Sequence, residues 1–274
     1  MNAPRDFQTT YTVRASSWGK LFDCAFAWQG EHLLGIRKAA GLRAHLGTSI
    51  HASTAAYDSS RLSGAAPISI DDAAGVFVDA LHKPDRDVDY QQDDITVREA
   101  ERIGLKLHTS YCMDIAPQFE YISVEAKLPP LDIDCGNSIT VRLTGSMDRA
   151  RVAQSAGGIV IPDVKTGVAV IEDGLAKTKG RSPQLGTYQI MFEQGEKLPT
   201  VGAQIIALQT NTRAMTAVSP IFDAKRVMVG TEDAPGLIQF AASMFRTGLF
   251  PPNPTSMLCS PKYCARWSTC PYHE

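Results

Sequence analysis

Gly145-Ser146-Met147-Asp148-Arg149 follows the alternating segment Ile139–Leu143, and Ile159-Val160-Ile161-Pro162-Asp163-Val164-Lys165-Thr166-Gly167 comes soon after it. Apolar–polar alternation predicts strands over 139–152 and 158–165, which puts each acid at or near a strand end, where rigid backbone can fix it. Asp163 and Lys165 are two apart, so on a strand their side chains share a face. Phosphodiester hydrolysis needs a hard cation, and Mg²⁺ binds through one or two carboxylates while keeping several waters. Asp148 and Asp163 can supply those carboxylates, and the Lys165 ammonium can stabilise the attacking water and the transition-state charge. An isolated Asp-x-Lys triplet also ends ordinary strands, and Asp148-Arg149 also reads as a surface pair. The context gives them weight: a glycine before one acid, Thr-Gly after the lysine, then a polar helix carrying Gln184 and Tyr188 at i and i+4 on one face.

The 274 residues suit one large domain or a domain with a helical subdomain, and 44% hydrophobic with 20% charged residues describes a chain with a sizeable core. A net charge of −2 argues against coating nucleic acid by bulk charge but leaves room for a local basic groove. No membrane-spanning apolar run and no signal peptide are visible, so the cytoplasm is the expected compartment. No Gly-x4-Gly-Lys-Ser/Thr motif occurs, which excludes an ATP-driven helicase within this chain.

Helical spacing predicts a helix after Ser16-Ser17 through Phe26, another over about 46–62, a third from Asp71-Asp72 and a fourth over about 96–115. Strands are then expected at 119–128, 139–152, 158–165 and 201–208, with helices at about 182–194 and 233–246. This order predicts an α/β fold with a mixed central sheet flanked by helices. A single domain is expected, with a helical N-terminal part over about 1–117, a catalytic core over about 118–250 and a tail over 251–274.

The ordered set Gly-x-x-Asp-Arg, Asp-x-Lys-Thr-Gly and Gln-Leu-x-x-Tyr resembles the RecB-like branch of the PD-(D/E)XK nucleases, whose fold is restriction-endonuclease-like. The resemblance implies that Asp148, Asp163 and the main-chain carbonyl of Val164 bind Mg²⁺ or Mn²⁺, that Lys165 orients the nucleophilic water, and that Gln184 and Tyr188 form the accessory motif. It also implies His51, in Leu46-Gly47-Thr48-Ser49-Ile50-His51, as a further ligand from an N-terminal helix. Met147 stands where the superfamily label has proline, and Asp163 stands where glutamate is more frequent. Neither removes a needed chemical group. Glu125 lies on the preceding strand and reads equally as a supporting or a solvent-facing residue.

Cys259, Cys264 and Cys270 lie close together in the proline-rich tail, and six cysteines without an export signal point to metal rather than disulfides. A fourth ligand is needed, and Cys24 is the candidate. One distant N-terminal cysteine with a C-terminal trio resembles the iron–sulfur RecB-like nucleases, AddB and the CRISPR-adaptation nucleases among them, and implies a structural [4Fe-4S] cluster. Zinc satisfies the same thiolates, and spacing alone does not separate the two. Cys112 reads as a buried small hydrophobe, and Cys135 has no assignment.

Lys177, Lys179 and Arg181 make a basic loop before Gln184, readable as a solvated surface or as a DNA phosphate contact. Trp18, Trp28 and Tyr57 can stack on bases, though their helical spacing favours core packing. The leading expectation is a metal-dependent DNA nuclease, an exonuclease on single strands or DNA ends. It would serve recombination, repair, phage DNA processing or CRISPR adaptation, with recombination or CRISPR proteins as partners. The rivals are a non-catalytic DNA-binding or scaffold subunit that keeps the fold, and a zinc-stapled hydrolase of another phosphodiester.

Overall fold

The computed structural model describes residues 9–62 and 66–273. In chain order its elements are β1 (Thr9–Arg14), α1 (Trp18–Asp23), α2 (Ala25–His32), β2 (Ala40–Gly41), α3 (Leu42–Leu62), α4 (Ile70–His82), β3 (Val88–Asp89) and α5 (Val97–Ser110). There follow β4 (Tyr121–Asp134), β5 (Ile139–Ala153), β6 (Gly158–Gly167), β7 (Ile171–Glu172), β8 (Leu175–Ala176), α6 (Ser182–Glu196), β9 (Thr200–Gln209), β10 (Thr216–Val218), α7 (Arg226–Val229) and α8 (Leu237–Thr247). No helix among the described residues is long and apolar enough to cross a membrane.

The six-stranded central sheet is mixed. One edge of β5 pairs antiparallel with β4, while its other edge is divided: residues 139–144 run parallel to β1 and 151–153 pair antiparallel with β6. Residues 145–150 therefore have β4 on one side and no paired strand on the other, where β5 and β6 splay apart. β6 continues parallel to β9, which pairs antiparallel with β10. The expected mixed sheet flanked by helices is the observed architecture.

Alternation along β5 and β6 supplies the two apolar faces. Val141, Leu143, Met147 and Ile161 pack with Trp18, Trp28, Tyr188 and Phe245 on the side covered by α1, α2, α6 and α8. Val164, Ile206 and Leu208 pack with Leu46, Ile50, Phe77 and Leu107 on the side covered by α3, α4 and α5. Fully burying each large aliphatic side chain contributes roughly 1.5–3 kcal/mol, so this two-sided packing is what fixes the sheet. Caps set the helix starts. The Ser69 side chain accepts the Asp72 N–H to open α4, and Thr96 with Glu99 forms a reciprocal box opening α5. Such caps are worth about 1 kcal/mol each.

The structure departs from the sequence expectation at several boundaries. The helix expected from Ser16-Ser17 through Phe26 is broken at Cys24, whose backbone is extended (φ −141°, ψ 93°). The tail intervenes there: the Phe26 N–H donates to the Pro251 carbonyl at 3.2 Å, starting α2 afresh. The helix expected to reach Ile115 ends at Ser110 and widens into a π turn over Tyr111–Ile115. The helix expected from 233 begins at Leu237, after Pro235 and a Gly236 N–H that donates to Gln239. β1 belongs to the central sheet although the surrounding sequence reads as helical. Trp18 and Trp28 are fully buried in the core, and Tyr57 packs at its edge.

Because Val13 of β1 is fully buried and Thr12 is exposed, charge should be tolerated at one and not at the other. Val13→Asp should lower the unfolding free energy by more than about 3 kcal/mol in urea melts, whereas Thr12→Asp should stay within about 0.5 kcal/mol. Equal effects would contradict the strand.

Candidate active site

The splay between β5 and β6 is where the acidic side chains meet. Asp148 lies on the stretch of β5 that pairs with β4 alone, and its Oδ2 accepts the Val164 N–H across the gap at 2.8 Å. The same oxygen lies 3.5 Å from Nδ1 of His51, one turn along α3 from Gly47. Val124 opposes Arg149 and Ala126 opposes Met147, which leaves Glu125 facing Asp148. Ligating atoms of His51, Glu125 and Asp148 lie within 4.8 Å of one another. Glu125 holds a left-handed backbone (φ 50°) in mid-strand, a conformation that costs a non-glycine residue about 1–3 kcal/mol and persists only when surroundings enforce it. Its carboxyl pKa is raised, first by desolvation and then by the neighbouring Asp148 charge.

Asp163 and Lys165 share the α6 side of β6, as their spacing requires, and their carboxylate and ammonium form an ion pair. Asp163 is 1% exposed. Desolvation pushes its pKa up to about 6, against the opposing pull of Lys165 and with a further push from Asp148. Its Oδ1 receives a long hydrogen bond from Gln184 Nε2 at 3.4 Å, and the same amide donates to the Tyr188 hydroxyl at 3.1 Å. Oδ2 is the oxygen that pairs with the Lys165 ammonium. Gln184 and Tyr188 thus address Asp163, rather than the lysine or open solvent. The phenol of Tyr188 is held above its usual pKa by burial. Gly145 is what admits this ring, since a Cβ there would stand 2.7 Å from Tyr188 Cε1.

Beneath the acids lies a cation with no exposed surface. Arg149 Nε donates to Asp58 Oδ2 at 2.8 Å, and Nη1 donates to Glu125 Oε1 at 3.1 Å and to the Asp148 carbonyl at 2.8 Å. The Tyr111 hydroxyl donates to the same Asp58 oxygen at 2.5 Å and stands 3.2 Å from the Tyr121 hydroxyl. Burial pushes the Arg149 pKa down, but Tyr111, Asp58 and Asp148 outweigh it and hold it above the ordinary value. Asp58 is raised by desolvation, with Arg149 opposing. His51, Thr54 and Asp58 recur at i, i+3 and i+7, so one face of α3 carries both the site histidine and the anchor of the arginine. That spacing is the signal by which Asp58 could have been found in the sequence. Tyr111 and Tyr121 carry no comparable mark.

A sequence-family profile described as the PD-(D/E)XK nuclease superfamily matches residues 15–271. The chain belongs to this superfamily. Comparison with curated proteins returns no match. PD-(D/E)XK nucleases use divalent metals, and the donor set here fits one: a histidine nitrogen and the carboxylates of Glu125 and Asp148 gather at one point, while Asp163 stands outside that group, paired with Lys165. The superfamily's fold makes DNA the implied substrate class.

The four tail-associated cysteines, Cys24, Cys259, Cys264 and Cys270, line a single recess and are all free. The Cys259 thiol pKa is raised by desolvation and then by the other three thiols. Among the described residues no three of these sulfurs gather within the 4.8 Å that relates the His51 group. Cys112 is buried with its pKa pushed up to about 12 by desolvation, and Cys135 is half-buried. In the basic loop, Lys177 pairs with Glu172 at 3.5 Å, Lys179 is exposed, and Arg181 sits half-buried at the start of α6.

Arg149→Met should lower stability by about 3–5 kcal/mol, because it strands the buried Asp58 charge. The double variant Arg149→Met/Asp58→Leu should recover much of that loss in urea unfolding. A single variant as stable as the parent would contradict the buried pair.

Proposed function

We propose that this superfamily member is a deoxyribonuclease in which His51, Glu125, Asp148, Asp163 and the Val164 carbonyl hold Mg²⁺ or Mn²⁺. The observation that carries the reading is the convergence of His51, Glu125 and Asp148 beside the Asp163–Lys165 pair at the β5–β6 splay. When bound, the cation neutralises phosphate charge and lowers the pKa of an attacking water. Lys165 places its ammonium where that water and the transition-state charge develop. Gln184 and Tyr188 hold Asp163 in position from α6. Asp163, with a pKa near 6, must be ionised to act as a ligand, so cation affinity should weaken as pH falls below about 6.

The ordered motifs support a RecB-like nuclease acting as an exonuclease on single strands or DNA ends, in recombination, repair, phage DNA processing or CRISPR adaptation. Six free cysteines suit a reducing compartment such as the cytoplasm. The recess joining Cys24 to the tail supports a structural [4Fe-4S] cluster. Four thiolates also satisfy a tetrahedral zinc site, so the metal content of the purified protein separates the two. The centre would tie α1 and α2 to the tail and take no part in hydrolysis.

Lys165→Ala should reduce Mg²⁺- or Mn²⁺-dependent degradation of end-labelled single-stranded and duplex DNA by at least about a hundredfold, with the fold intact by circular dichroism. Undiminished cleavage by that variant overturns the assignment, and wild-type binding without any metal-dependent cleavage would point to the scaffold role instead. Anaerobically purified protein should be brown, with iron and sulfide in equal amounts. Colourless protein carrying stoichiometric zinc would reverse the cluster assignment.

A further inference from the structure

Arg14 at the end of β1, His32 at the end of α2, Arg37 and Lys38 in the following connection, and Arg86 between α4 and β3 line one open hollow of about 640 Å³. Asp87 is the one acid on its wall. The arginines are exposed, and among the described residues their guanidinium groups make no hydrogen bond and pair with no carboxylate. Elsewhere surface cations are commonly engaged, as in Arg142–Asp132, Lys225–Glu193 and Lys262–Asp93. Unpaired like charges gathered from separate segments repel one another, and the arrangement is relieved by a polyanion.

Through β1 the hollow is tied to the strand that carries Asp148. Arg14 is in register with Thr144, the residue before Gly145. The next residue, Ala15, crowds Gly145 together with the Tyr188 ring. Tyr188 in turn accepts from Gln184, which reaches Asp163. The Arg14 charge is felt by both His32 in the hollow and Tyr188 in the site. Lys38 is anchored by donating to the Pro261 carbonyl at 2.7 Å, so the tail holds one wall in place.

We propose that the Arg14–Arg37–Arg86 hollow carries the phosphate backbone of a single-stranded polynucleotide to the catalytic centre. The inference rests on the nuclease reading and names the form of its substrate. A hollow of several hundred Å³ is in the size range of sites for small ligands, a scale that suits the single nucleotide units of one flexible strand. Guanidinium forks match phosphate oxygens bidentately, and such contacts position a strand without reading its sequence. The hollow, not the loop of Lys177, Lys179 and Arg181, is then the main electrostatic contact.

The test uses the full chain, a chelator to prevent cleavage, and anisotropy of a fluorescent oligothymidylate of about twenty nucleotides. Arg37→Glu/Arg86→Glu should bind at least about tenfold more weakly, and its salt slope should fall by about 1.4, since each single-strand phosphate contact contributes about 0.7. The milder Arg37→Gln/Arg86→Gln should lose less. Lys197→Glu/Arg226→Glu, with the same charge change on exposed residues outside the hollow, should bind within about twofold of wild type. Urea midpoints matching wild type will show that the variants are folded. Unchanged binding by the hollow variants overturns the proposal, as does equal weakening by the control pair or tighter binding of a duplex of the same length. If wild type still cleaves DNA in those cases, the nuclease reading stands. If wild type neither binds nor cleaves DNA, both fail.

Discussion

The Arg149 guanidinium has no access to water, and the placement of Asp58, Glu125 and the Asp148 backbone depends on where it donates. One arm reaches Asp58 on α3, another the Glu125 carboxylate on β4 and the Asp148 carbonyl on β5. Without these partners a buried cation would be prohibitively expensive. With them, three elements that share no local sequence are locked at one distance. The strained backbone of Glu125 is explained by the same tie, since its carboxylate is held between Arg149 and the edge of the acidic group. The sheet contributes the complementary constraint. β1 and β6 divide one edge of β5 between them, and the interval left open is where Asp148 crosses to the Val164 N–H.

Much of this was readable in the chain and some was not, for identifiable reasons. The acids and lysine were visible because strand alternation, strand ends and i, i+4 spacing on a helix are local patterns. His51 is legible through resemblance alone, and Asp58 on the same helical face is marked only by its i+7 spacing from it. Glu125 stayed ambiguous because its meaning comes from a cross-strand partner, set by the register of β4 against β5 and not by its own neighbours. β1 is not legible because a six-residue strand that pairs with residues more than a hundred positions away leaves no mark in a helix-rich segment. The break at Cys24 likewise comes from the tail, whose Pro251 carbonyl takes the Phe26 N–H.

The tail emerges as more than a cap. Arg266 stacks 3.5 Å over the Phe26 ring and donates to its carbonyl, filling the space that Gly30 leaves. Lys262 pairs with Asp93, whose carboxylate also receives the Arg43 N–H near the start of α3. Lys38 is tethered to Pro261. The cysteine recess therefore sits at the hub of contacts that fix α2, the start of α3 and the wall of the basic hollow. Distant cysteines can in this way serve a hydrolytic site without touching it.

The account stands or falls on whether the acids at the β5–β6 splay bind a divalent cation. Titration of Mn²⁺ into the metal-free protein at neutral pH, followed by electron paramagnetic resonance, measures this directly. Wild type should show saturable binding that Asp148→Asn loses while keeping the far-ultraviolet circular dichroism of the parent. Identical Mn²⁺ binding by the two proteins would contradict the assignment of this cluster as the metal centre.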